Sequence, residues 1–349
     1  MPRQTLESKP ASATCRASNA PVGGVASTAD FAVVNLGNSH RVDSSFELEK
    51  TDNPSATANA GSSEFKVDGK RLRDRFPQGI DWVLTSWMFV MHVGAVAALW
   101  HFSWPALAVF FVLHWVTACL GITLGYHRLL THGSLVVPSV LKYFFSICGM
   151  LSAEGSPLMW VAIHRKHHVH SDADEDPHTP LHGFWWSHMI WFYPLETRAQ
   201  RLALYRRWAP DLLKDPVQRF LDRTFILYPL LLGALLYAAG QYFFQQGLSF
   251  VLWGLCARMV AAYHSTWFVN SATHKWGYRN YETTDQSRNL WWVAVLSYGE
   301  GWHNNHHAHQ RLARHGHRWW EIDPTYLVIR GLQFCRLATK VQDTLPERE

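Results

Sequence analysis

Four apolar runs decide what this chain can become. Trp82 to Trp100 and Trp104 to Tyr126 form one pair, joined by a very short turn around Ser103 and Pro105. Thr224 to Phe244 and Leu248 to Val269 form a second pair, joined by a short loop containing Gly247. A helix needs about 20 predominantly apolar residues to cross a bilayer. In hydrocarbon the backbone must satisfy itself, which admits only helices or closed barrels. The expected fold class is therefore an all-α membrane protein, with four transmembrane helices in two hairpins and a cytosolic helical cap. The apolar stretch Leu135 to Met150 is shorter and is expected to lie along the interface. Charged residues make up only 17% of the chain, against about 25% in typical soluble domains. The 18 Trp and 19 Phe are a load that membrane interfaces favour.

Ahead of the runs, residues 1–75 are rich in Ser, Ala, Thr, Asn and Asp without apolar period, and read as a disordered polar tail. A transit peptide is the alternative reading of that stretch; no secretory signal pattern is seen. The membrane domain is expected over 76–340, followed by a short C-terminal tail, 341–349. Lys70, Arg71, Arg73 and Arg75 precede the first run, while the turn after it has no Lys or Arg. By the positive-inside rule both termini face the cytoplasm or its topological equivalent. That fits a bacterial inner membrane, or an endoplasmic reticulum or plastid membrane. The net charge of +5 suits anionic lipid headgroups or an acidic redox partner. The five cysteines (Cys15, Cys119, Cys148, Cys256, Cys335) have no Cys-x-x-Cys spacing and read as buried thiols. No nucleotide loop or nucleophile elbow occurs, and no nucleic-acid partner is expected.

Chemistry is written in three histidine clusters: His127 with His132, then His164, His167 and His168, then His303, His306 and His307. In His-x-x-His-His the rings fall at i, i+3 and i+4, one face of a helix. Neutral imidazole is the commonest metal ligand among side chains, and eight of them exceed what one tetrahedral zinc can use. Two metals are expected. All three clusters sit at the cytosolic ends of the runs. His40, His92, His101, His114 and His188 read as ordinary histidines, and His170, His182, His309, His315 and His317 as neighbours of the clusters. Arg258 and His264 lie inside the fourth run, where an ionisable residue is a functional candidate by default. Imidazole suits iron, copper and zinc. A dinuclear centre beside lipid points to oxidation of an acyl or alkyl chain.

The order and spacing of these clusters resemble the membrane fatty acid desaturases. So do Gly125-Tyr126-His127-Arg128, Glu175-Asp176-Pro177-His178, Asn270-Ser271-Ala272-Thr273-His274 and Gly299-Glu300-Gly301-Trp302-His303. The details are similar to the Δ9-type branch, and the match runs from about Asp81 to Thr339. The resemblance implies two Fe2+ ions held by His127, His132, His164, His167, His168, His274, His303, His306 and His307. Asn270 would reach one iron through water. It implies orienting roles for the Asp176–His178 element and for Glu300. It also implies O2-dependent insertion of a cis double bond into a saturated acyl chain, on an acyl-lipid or acyl-CoA, in contact with membrane lipids. Thr179-Pro180-Leu181-His182 follows the plant and cyanobacterial pattern, which favours the acyl-lipid. The chain lacks a His-Pro-Gly-Gly signature, so the electron donor is expected to be a separate protein, ferredoxin or cytochrome b5. Two other readings stand beside this one: a di-iron membrane fatty acid or alkane hydroxylase, and a histidine-rich membrane metal transporter.

Overall fold

The computed structural model describes residues 75–345, preceded by a two-rung antiparallel ladder that pairs Lys66–Val67 with Lys70–Arg71. The expected polar tail, with Cys15, lies almost entirely outside the described residues. From Trp82 onward the described elements are helices joined by loops and isolated bridges.

Helix α1 (Trp82–Ala97) is started by Asp81, whose carboxylate accepts from the Leu84 N–H. A 3-10 turn prolongs it to His101. Helix α2 (Trp104–His114) starts on the Ser103 hydroxyl with Pro105 in its first turn, where a missing N–H costs nothing. It runs without a break into a π-helical stretch, Trp115–Thr131. Among the described residues three helices are long and apolar enough to cross a membrane: Trp82–His101, Trp104–Thr131 and α8 (Leu227–Phe244). Their outward residues, such as Phe89, Val93, Leu99, Phe111, Leu231 and Leu235, are exposed and apolar, as lipid contact requires and water does not favour. The second is longer than its expected limit at Tyr126. The third starts at Leu227, because residues before it belong to α7 (Pro216–Thr224). The fourth run is helical but divided: α9 (Gly247–Val251), a π turn (Leu252–Ala257), then α10 (Arg258–Ser271).

The remaining helices surround the histidine ends of these. They are α3 (Ser139–Met150), α4 (Pro157–His170), α5 (Arg198–Trp208), α6 (Pro210–Lys214), α11 (Trp291–Leu296), α12 (His303–Ala308) and α13 (Pro324–Phe334). One apolar core joins α1 to α10 through Met88, Met91, Met259, Tyr263 and Trp267. A second packs the π-helical stretch on α4 and α5 around Tyr126, Leu158 and Tyr205. Against α3 the approach is backbone to backbone: a Cβ at Gly121 would stand 2.4 Å from the Gly149 nitrogen. That contact lets α3 lie flat on the π-helical stretch that carries His127.

Candidate metal centre

The nine expected histidines come together as two groups. His127, His132, His164, His168 and His306 form one; His167, His274, His303 and His307 form the other. The division follows from helix geometry. At 100° per residue, i+4 lies about 40° to one side of i and i+3 about 60° to the other. On α4, His164 and His168 (i, i+4) therefore join the first group and His167 (i+3) the second. On α12 the assignment is reversed: His303 and His307 join the second and His306 the first. The expected single face is a divided one, and the two helices exchange their odd member.

His127 and His132 need a different explanation. Residues five apart lie about 140° apart on an α-helix, too far to share a metal. Here the helix winds i→i+5, shown by the His132 N–H donating to the His127 carbonyl at 3.2 Å, which sets such residues one above the other. Their rings approach to 4.8 Å.

Behind the rings stand carboxylates. Glu300 lies 2.6 Å from His127 Nδ1, Asp176 3.0 Å from His167 Nδ1, Asp285 2.5 Å from His307 Nδ1 and Asp172 3.0 Å from His274 Nδ1. Burial pushes the Asp176 and Asp285 carboxyls up. His167 and His178 on the first, and His307 on the second, outweigh it and hold both well below the usual range. An ionised carboxylate accepts, so Nδ1 carries the proton and Nε2 the lone pair. His167 and His307 then face one another, Nε2 to Nε2, at 3.4 Å. Two lone pairs at that distance repel unless a metal ion or a proton lies between them. Against burial, Asp176 raises the His167 pKa, so this ring can carry that proton when no metal is bound. The His127 and His306 Nε2 atoms are 3.0 Å apart, and His132 Nε2 is buried without a hydrogen-bond partner. Burial, then mutual repulsion, pushes His164, His168, His303 and His306 well below an ordinary imidazole. These rings stay neutral, as metal ligation requires. The donor set fits two metal ions.

Two clefts meet at the centre. One, about 840 Å³, is walled by Leu84, Met88, Trp191, Phe192, Tyr263 and Trp267 and reaches His164. A smaller one, about 490 Å³, runs along Ala118, Ile122 and Val269 to His127 and His303. Trp160, His164, Thr266 and Asn270 border both. Asn270 is thus set beside the histidines, at the junction. Glu154 faces the larger cleft; burial pushes its carboxyl up to about 8, against the opposing pull of Thr266, Trp160 and Arg258.

Several residues behave differently from expectation. Asp172 and Asp285 carry no sequence signal, since neither lies at a fixed offset from the ring it holds. His315 is fully buried, 3.2 Å from Glu300 and with its ring 4.5 Å from that of His306, closer than a neighbour of the cluster need be. Arg128, also fully buried, donates to Glu300, Asp323 and the Ala313 carbonyl, tying α2 to the segment after α12. Cys119, Cys148 and Cys256 are buried as expected, whereas Cys335 is exposed.

Comparison with known proteins agrees with this geometry. Residues 102–333 match the fatty acid desaturase family model. An sn-1 stearoyl-lipid 9-desaturase of Anabaena variabilis is 49% identical over 75% of this chain and 94% of its own length. An sn-2 palmitoyl-lipid 9-desaturase of Nostoc sp. is 44% identical over 79% and 94%. A chloroplastic palmitoyl-monogalactosyldiacylglycerol delta-7 desaturase of Arabidopsis thaliana is 47% identical over 72% and 66%. With its histidines gathered in two groups beside an apolar cleft, the chain belongs to the fatty acid desaturase family.

Proposed function

We propose that this enzyme uses O2 and two irons to place a cis double bond, at Δ9, in a saturated acyl chain carried on a membrane lipid. One iron is held by His127, His132, His164, His168 and His306, the other by His167, His274, His303 and His307. Asn270 would reach one of them through water. Bound iron supplies the oxidant that removes two hydrogens from adjacent methylenes, while O2, with two electrons and two protons from outside, leaves as two waters. The chain's own residues do the rest. Glu300, Asp176 and Asp285 fix the ring tautomers, and Asp172 lies beside His274. The aromatic walls of the larger cleft exclude water and align the alkyl chain, which turns at Trp160 and Thr266 to pass the centre. The observation that carries this reading is the facing Nε2 pair of His167 and His307, in two ring clusters that border apolar clefts.

A third cleft, about 780 Å³, shares Leu84, Met159, Ile163, Trp191 and Phe192 with the larger one, and its rim carries Lys166 and Arg201 against Asp81 and Glu196. That balance gives the phosphates of a coenzyme A carrier little net attraction, which favours the acyl-lipid. Four spans, with Gly247 to Ser271 as the fourth, put both termini and the centre on the cytoplasmic side or its equivalent. A separate donor, ferredoxin or cytochrome b5, delivers the electrons there. Expression in a host lacking unsaturated fatty acids tests the reading: restored growth with new monounsaturated chains in its lipids supports it. Hydroxylated chains, or saturated lipid only, would overturn it.

A further inference from the structure

Behind the larger cleft runs a chain of three imidazoles that belongs to neither metal group. His188 lies in a π turn, Trp186–Ile190, His264 on α10 and His92 on α1. His92 Nδ1 is 2.7 Å from the Met88 carbonyl, which can only accept, so that nitrogen carries the proton. For neutral rings the remaining assignments follow. His92 Nε2 accepts from His264 Nε2 at 3.3 Å, and His264 Nδ1 accepts from His188 Nε2 at 3.0 Å. His188 Nδ1 lies 2.9 Å from the Ser271 hydroxyl, whose proton is also within reach of the Trp267 carbonyl at 2.8 Å. The polarity through the three rings runs one way, from His188 to α1, and the single Ser271 proton serves either His188 Nδ1 or the Trp267 carbonyl.

The chain fastens three elements at points immediately behind the cleft walls. Trp267 meets His188 and His264 edge-on at 5.7 and 5.0 Å, and stacks between Tyr263 at 5.5 Å and Phe192 at 5.0 Å. These three aromatic rings, with Met88 at the far end of the chain, line the cleft, and Asn270 directly precedes Ser271. Polar groups at this depth are expensive unless they do something. None of the three histidines touches the metal groups.

We infer that His188, His264 and His92 are positioning residues that hold the Trp267 wall, and so set which methylenes stop at the centre. The inference rests on the reading that the cleft holds an acyl chain. Neighbouring methylenes are one bond apart, so a wall displaced by about 1 Å exchanges them, the scale at which misplacement alters reactivity. Double-bond position is therefore the readout, because loss of stability alone lowers yield without moving the bond.

The test expresses the full chain, His264→Leu and His264→Gln in the host lacking unsaturated fatty acids. Bond position is read by mass spectrometry of derivatised lipids, and iron per chain is measured. Leu breaks the chain at its middle. The amide of Gln can still accept from His188 and donate to His92. Expected are one bond position for wild type, a mixture shifted by about one carbon for Leu, and recovery of the single position in Gln, all at equal iron content. A Leu variant that keeps the wild-type position, at whatever yield, overturns the inference. Should the Leu protein not accumulate, His92→Leu cuts the terminal link and is judged by the same two outcomes. Wild type that makes no unsaturated chain would overturn the desaturase reading instead.

Discussion

Each imidazole at the centre has two nitrogens, and for His127, His167 and His307 the acid behind the ring decides which one turns inward. Replacing Asp285 by Asn removes the charged acceptor on His307, and outer partners of this kind typically cost about 10–100-fold in metal affinity. We expect Asp285→Asn to lose iron to a chelator at correspondingly lower concentration, while Asp174→Asn, at an exposed carboxylate, matches wild type. Retention equal to wild type in Asp285→Asn would remove the acid from the centre. Glu154 gives a pH dependence. Its folded pKa, pushed up to about 8, lies above the unfolded value of about 4.3. Its contribution is therefore complete below the unfolded pKa and is lost as pH rises through about 8. Glu154→Gln should flatten thermal stability across that window, and a variant whose midpoint follows the wild-type pH curve would show that the carboxyl titrates normally. Eight of the histidines were legible because a short periodic spacing announced them, whereas His274 stands alone in the sequence and was read only through the family resemblance. Asp172 and Asp285 were not, because loops bring them in and no period connects them to their rings. Asp176 could be read only through its Asp-Pro-His context.

At the scale of elements, apolar content marked where helices run but not how they wind. Hydropathy records contact with lipid and is blind to the choice between i→i+4 and i→i+5 bonding, so the π-helical stretch before His132 was hidden. The same blindness hid the π turn that divides the fourth run. The close packing of the π-helical stretch on α3 depends on Gly121, where an added Cβ meets Gly149 backbone at 2.4 and 2.6 Å. Backbone cannot step aside as a side chain can. Gly121→Ala should be destabilised by about 1–3 kcal/mol, the usual cost of overpacking, seen as a lower unfolding midpoint in detergent; an unchanged midpoint would mean that α3 yields freely.

On the whole molecule, the separate donor proposed above would arrive through charge on the histidine side. Arg165 is already committed: it grips Asp211 and donates to the Leu130, Thr131 and Trp208 carbonyls. Lys166, Arg206 and Arg207 remain for an acidic partner. Donor-dependent turnover should weaken as the screening length falls from about 10 Å at 0.1 M salt to about 3 Å at 1 M. Arg206→Glu with Arg207→Glu should raise the KM for the donor more than it lowers kcat. Turnover indifferent to both changes would place docking elsewhere. The exchange of odd members between α4 and α12 has a consequence for how the protein is made. Neither group is complete without rings from both helices, and α12 lies late in the chain. A ribosome that has delivered every span has still delivered no finished ligand set. The proposed metal ions could be held firmly only after the chain through His307 has emerged and folded back, so firm retention of metal would mark a molecule whose synthesis ran past α12.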